Sequence, residues 1–281
     1  MLSETRLSER ILDLTVSSPA LGRVAWARLL LPTRWSAEPD RRWPVLYLLH
    51  GCCDPHGSWT GATDVVDLTA GSDVLVVMPE GGRIGFYSDW ADGSAGWETF
   101  HLTELRRLLE ERYRAGPVRA VGGLSMGGLG ALAYAARWPG LFRAAASFSG
   151  IVHTRLSPAR TEWYRQLVRW EGADPEKLWD GPAAWAAHNP YDLAPRLRGT
   201  ALFLSAGDGR PGPLDPPGTQ VDDVEAALAA ENAALVTRLR ELDIPVQVSF
   251  YGPGTHTAPY WQRELHRAWP LLRRALGLTR R

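Results

Sequence analysis

The chain has 281 residues, with 31 Lys and Arg against 31 Asp and Glu, 45% hydrophobic residues and 22% charged ones. That length supports a sizeable core, and the zero net charge argues against a nucleic-acid or acidic-membrane surface as the main partner. No apolar run reaches the length of a membrane span, so no integral membrane segment is expected.

Glycine (28) and proline (21) are plentiful but dispersed, which excludes a low-complexity chain. The 13 tryptophans exceed what a core of this size requires, and Lys177 is the only lysine. Met1 to Arg10 is polar and holds no apolar signal core. The chain therefore reads as cytoplasmic, or as secreted or envelope-bound if a leader has been removed. Cys52 and Cys53 are the only cysteines and are adjacent. This excludes a disulfide framework, since neighbouring cysteines seldom meet bridging geometry. With no CxxC or HExxH spacing, neither a metal nor a cofactor is expected.

In chain order, Pro44 to Leu49 and Asp73 to Met78 are short continuous apolar runs, as strands buried on both faces would be. Glu98 to Tyr113 has helical periodicity. Val118 to Val121 reads as a strand stopped by Gly122-Gly123, and Leu129 to Trp138 as an Ala-rich helix ended by Pro139-Gly140. Ala144 to Phe148, Ala201 to Ser205 and Val246 to Tyr251 are further strands. Helices are expected at about 221–242 and 259–276. This alternation predicts an α/β fold with a mostly parallel central sheet and helices on both faces. Residues 155–190 break the rhythm with four tryptophans and no strand, and read as a helical insertion. The whole of 1–281 is expected to be one domain.

Gly123-Leu124-Ser125-Met126-Gly127 fits Gly-x-Ser-x-Gly. The pattern alone is weak, and its bland reading is a Gly-rich strand–helix turn. Here it follows a predicted buried strand and opens a predicted helix. In that setting it is a nucleophile elbow, which lifts the serine oxygen above the sheet. The chain order Ser, acid, His places the base beyond the last strand. His256 follows Val246–Tyr251 directly, whereas His266 falls inside a helix. The acid is left open between Asp208 and Asp215, both beyond the strand at 201–205. Asp222, Asp223 and Glu225 begin the next helix and are accounted for by its N-terminal dipole. The oxyanion hole needs two N–H donors. Met126 supplies one, and Cys52 is the candidate for the other, with Gly51 allowing close approach to the serine.

Together these residues resemble the esterase D-like branch of the α/β-hydrolases, specifically the antigen 85 mycolyltransferases and their actinobacterial esterase relatives. Tyr47 to Gly51 is similar to that family's oxyanion strand and loop. Phe86 to Trp90 and Trp97 to Phe100 resemble two of its aromatic segments, and Leu178 to Pro182 with Trp185 and Asn189-Pro190 its insertion. Gly254-Thr255-His256 with Tyr260-Trp261 resembles its histidine loop. These motifs span about residues 40–270. The resemblance implies an α/β-hydrolase fold, acyl-ester chemistry, Ser125 as nucleophile and His256 as base. It favours Asp215 as the acid, although the family commonly uses Glu there. The chain also departs from the family. His50-Gly51-Cys52-Cys53 stands where the mycolyltransferases carry Asp-Gly-Leu-Arg, so the groups that would hold trehalose are absent.

The expected function is therefore a serine carboxylesterase working on a small-molecule acyl ester through a Ser–His–Asp triad and an acyl-enzyme. Two alternatives are an acyltransferase to a sugar or glycerol hydroxyl and a non-catalytic carbohydrate-binding protein on the same scaffold. Trp90, Trp185 and Trp261 are expected at the mouth of the site, where they line an acyl or sugar pocket or pack the insertion.

Overall fold

A computed structural model describes residues 1–278. The chain opens with three strands, β1 (Ser3–Arg6), β2 (Ile11–Ser18) and β3 (Arg23–Leu30). In β2 the side chains of Leu12, Leu14, Val16 and Ser18 are buried while their neighbours are not, the period-2 signature of a sheet packed on one face. Next come β4 (Trp43–Leu49), short helices α1 (Ser58–Ala62) and α2 (Val65–Leu68), and β5 (Leu75–Pro79). A broken helix follows: α3 (Trp97–Thr99), a π-helical turn over Phe100–Leu105, and α4 (Arg106–Arg112). Then come β6 (Ala115–Leu124), α5 (Met126–Arg137) and β7 (Ala144–Phe148).

The insertion is helical: α6 (Pro158–Trp170), α7 (Pro175–Leu178), α8 (Gly181–His188) and α9 (Pro190–Leu193). The chain returns to the sheet with β8 (Ala201–Ala206), α10 (Asp223–Glu241), β9 (Val246–Phe250) and α11 (Ala258–Leu276).

The nine strands form one sheet in the order β1-β2-β3-β5-β4-β6-β7-β8-β9. The first three strands pair antiparallel, as do β3 and β5. All later pairings are parallel. The six strands expected from sequence are β4–β9, and the antiparallel β1–β3 extension adds to them. One apolar layer gathers Leu102, Leu109, Leu132 and Leu235 from the α3–α4 segment, α5 and α10. The other gathers Trp59, Val65, Leu265 and Leu272 from α1, α2 and α11. Helices thus cover both faces of the sheet.

From β4 the chain steps to β5 on one side, then crosses to β6 on the other. This reversal of strand order opens a crevice at the carboxyl ends, where ligands bind in such sheets. The register puts Leu49 of β4 opposite Gly123 of β6. The two strands therefore end level, and His50-Gly51 emerges beside Leu124-Ser125.

Candidate active site

Ser125 sits between β6 and α5 with φ 53° and ψ −119°. A side-chain-bearing residue seldom occupies this conformation, and it is the strained turn expected of a nucleophile elbow. The flanking glycines explain how the turn fits. A Cβ on Gly123 would overlap the carbonyl of Gly127, and one on Gly127 the carbonyl of Leu49. The Ser125 N–H donates to Phe148 O at 3.0 Å, and its carbonyl accepts from Gly128 N and Ile151 N.

The loop after β4 lies against the serine. A Cβ on Gly51 would come within 2.6 Å of Leu124 Cδ1 and 3.3 Å of Ser125 Cβ, so glycine lets the loop approach the serine without displacing either. The buried His50 ring fixes the loop. Gly81 N donates to His50 Nε2 at 2.7 Å, which leaves the proton on Nδ1 to be donated to Gly51 O, also at 2.7 Å. Burial pulls His50 down to about 4, so it stays neutral at ordinary pH. Asp54 N also donates to Gly51 O. With that carbonyl held from two sides, the N–H of Cys52, in the same trans peptide, points the opposite way. Met126 is the first residue of α5 and so carries one of the helix's orphan N–H groups.

One sequence expectation is overturned in this loop. Cys52 and Cys53 are joined by a disulfide. The peptide between them is cis and brings their Cα atoms to 3.2 Å, a local arrangement that spacing does not reveal. Beside it lies a cleft of about 290 Å³ lined by Cys53, Asp54, His56, Glu80, Arg83 and Trp26. Burial pushes the Asp54 carboxyl above its ordinary value, although the N–H of Gly51 and the nearby His256 oppose the shift.

His256 follows β9 in the loop Gly252–Thr257. Its Nδ1 lies 2.6 Å from Oε2 of Glu225, a residue of the first turn of α10. Glu225 is wholly buried. Its other oxygen accepts from Ser149 Oγ at 2.7 Å and Gly207 N at 2.5 Å. The Glu225 carboxylate accepts from Nδ1–H, which leaves Nε2 with its lone pair, the form a general base requires.

The carboxylate that meets the histidine ring is thus not the one expected from sequence. Asp215 does not reach His256. It accepts from Gly212 N and Tyr260 OH, each at 2.8 Å, and from Thr255 Oγ1. Burial pushes its carboxyl up, but these three donors outweigh that and hold it below the ordinary value. Asp215 therefore latches the histidine loop from behind. Asp208 is bound to Arg210 at 2.7 Å. The signal that identifies Glu225 is its burial in a first turn whose other acidic residue, Asp223, is exposed. Sequence reasoning assigned both to the helix dipole.

The three tryptophans divide. Trp261 meets the His256 ring edge-on, with centroids 4.9 Å apart. Trp185 is buried against Trp179 inside the insertion, and Trp179 donates to Ser88 Oγ. Trp90 donates to Gly85 O at 3.3 Å. The structure brings Trp261 to the histidine, while Trp185 packs the insertion. The insertion is tied to the body through Glu231 of α10, which is buried and accepts from Val152 N, His153 N, Arg160 Nε and Tyr164 OH.

Among the described residues no helix is long and apolar enough to cross a membrane. In sequence, the chain is 32% identical over 286 residues to Esterase Rv1288 of Mycobacterium tuberculosis, an alignment covering 88% of this chain and 58% of that protein. The chain thus spans little more than half of that relative's length. It is 30% identical over 300 residues to the diacylglycerol acyltransferase/mycolyltransferase Ag85B of Mycolicibacterium smegmatis, covering 94% of this chain and 85% of the other. In structure it is similar to MPT51 of M. tuberculosis, with TM-score 0.79, 24% identity, and coverage of 94% and 97%. It is also similar to an S-formylglutathione hydrolase of Agrobacterium tumefaciens, with TM-score 0.75, 17% identity, and coverage of 98% and 99%. These structural likenesses establish the α/β-hydrolase fold. Residues 18–272 match the family described as putative esterase, and the chain belongs to that family.

Proposed function

We propose that the protein is a serine carboxylesterase with Ser125 as nucleophile, His256 as general base and Glu225 as the acid that orients it. The observation that carries this reading is the 2.6 Å contact between His256 Nδ1 and the buried Glu225 carboxylate, in a chain whose Ser125 is held at an elbow. His256 Nε2 takes the Ser125 proton as Oγ attacks the ester carbonyl. The tetrahedral oxyanion is met by the N–H groups of Met126 and Cys52. The imidazolium then protonates the leaving alcohol, and the acyl chain remains on Ser125. Water, deprotonated by His256, releases the acid. Glu225 stays ionised and stabilises the imidazolium.

The substrate is a small-molecule acyl ester. The likeness to Ag85B supports a second fate for the acyl-enzyme, transfer to a sugar or glycerol hydroxyl in place of water. The non-catalytic carbohydrate-binding reading has no use for a buried carboxylate bonded to a histidine ring.

The test is turnover of p-nitrophenyl esters together with fluorophosphonate labelling. The parent protein hydrolyses the ester and is labelled at Ser125, while Ser125→Ala does neither and keeps its melting temperature. Retained hydrolysis in Ser125→Ala rejects the assignment. Product analysis with glycerol or trehalose in excess separates hydrolysis from transfer: free acid alone supports the esterase, and an acylated acceptor the transferase.

A further inference from the structure

The base and its acid arrive on different segments, His256 on the loop after β9 and Glu225 on α10. One side chain touches the backbone of both. Asp222 is the N-cap of α10, and its Oδ1 accepts from Val224 N at 3.1 Å and Glu225 N at 3.0 Å. Its Oδ2 accepts from His256 N at 2.9 Å. Its own N–H donates to Gly209 O at 2.7 Å, and Gly209 N donates to Gly254 O at 2.9 Å, which closes a second link between the same two segments. An ordinary capping aspartate serves its helix alone. Here the second oxygen is used on the residue whose ring the acid must meet.

We propose that Asp222 is a positioning residue that clamps the backbones of His256 and Glu225 together, fixing the distance at which Nδ1 meets the carboxylate. The role rests on the triad reading above. It deepens that reading by adding a fourth residue that touches neither substrate nor the reacting atoms. The two oxygens of one rigid carboxylate set the separation of the two backbones. Side-chain freedom at Glu225 is already removed by Ser149 and Gly207, so the Asp222 bridge acts on the contact through the separation of the two backbones.

Asp222→Ser and Asp222→Asn test it, since each keeps an oxygen for the helix cap. Serine is too short to serve both segments. Asparagine presents either an oxygen or an amide to His256 N–H and cannot accept on both sides. Both variants are expected to lose about 10- to 100-fold in kcat at unchanged KM, while remaining folded at the assay temperature. In a Glu225→Gln background the same substitutions are expected to add no further loss, because the contact they position is already gone. The low-field proton resonance of the His256–Glu225 hydrogen bond is expected to weaken or move upfield in Asp222→Ser. Parent kcat in both variants, or an equal loss in the Glu225→Gln background, overturns the proposal. The resonance does not depend on turnover, so it separates two failures. If the parent hydrolyses no ester but its resonance responds to Asp222→Ser, the clamp stands and the esterase reading falls. An unmoved resonance in Asp222→Ser removes the clamp.

Discussion

Glu225 Oε2 lies 2.6 Å from His256 Nδ1 although 31 residues separate them, and the glutamate side chain has no exposure to solvent. Asp215 is nearer in sequence to the strand that should deliver the acid, yet it faces Thr255 and Tyr260. The two carboxylates therefore divide the work around one histidine loop, Glu225 on the ring and Asp215 on the backbone support.

Glu225→Gln removes the charge that stabilises the imidazolium and frees the ring to adopt the wrong tautomer. It is expected to lower kcat by about 10³- to 10⁴-fold. Asp215→Asn keeps a hydrogen-bond acceptor for the loop, and its cost falls on stability, about 1–3 kcal/mol. Steady-state kinetics of the two variants side by side rank the acids, and a larger kcat loss for Asp215→Asn reverses the assignment.

Gly51→Ala places a methyl group 2.6 Å from Leu124 Cδ1 and 3.3 Å from Ser125 Cβ. Leu124 Cδ1 ends a flexible side chain and can turn aside, but the tight approach to Ser125 Cβ makes the loop yield slightly, which displaces the proposed Cys52 donor. The expected loss in kcat is about 10²-fold with KM little changed. The affinity of a boronic acid that mimics the tetrahedral intermediate should fall in parallel. Unaltered boronate affinity would show that this loop does not serve the oxyanion.

Glu231→Ala strands the Arg160 guanidinium, whose side chain is 11% exposed, against an empty site. Losing one partner of a buried ion pair costs about 3–5 kcal/mol. Urea denaturation should show a lower midpoint at an unchanged m value.

Burial pulls His50 and His188 down to about 4 and His101 to about 3, from the ordinary 6.5. The unfolded chain therefore takes up protons near pH 6.5 that the folded protein refuses. Their contribution to stability is complete above about pH 6.5. It declines as pH falls through the window between 6.5 and about 3, and the decline ends below the folded values. The urea midpoint measured across this range should be flat at its alkaline end and fall steadily toward its acid end. A midpoint constant throughout would contradict neutral, buried imidazoles.

The parallel half of the fold was legible because its strands are buried on both faces and read as continuous apolar runs. The antiparallel β1–β3 extension went unread although Ile11 to Ser18 alternates polar and apolar residues as a strand should: β1 is exposed along its length, and the link between β2 and β3 carries no two-residue hairpin dipeptide. Ser125 and His256 were legible because each is bound to the end of a strand by local glycine chemistry. Glu225 was not. Its role depends on how residues 207–221 wrap around the histidine loop, a long-range arrangement with no local signature. An acidic residue in a first helical turn has a sufficient local reason to be there, and that reason concealed the second one. The resemblance implies a glutamate near this place, and a glutamate meets the His256 ring, while chain spacing pointed to Asp215, which bonds elsewhere.

Glu225 and Glu231 stand on the same helix, six residues and about 9 Å of rise apart. The first holds the histidine, and the second holds the insertion through Arg160 and Tyr164 and the link leading into it through the amides of Val152 and His153. α10 is therefore a shared axle. A chimaera that replaces residues 155–190 to change substrate preference must carry the partners of Glu231 with it, or the axle that aims the base turns along with the graft.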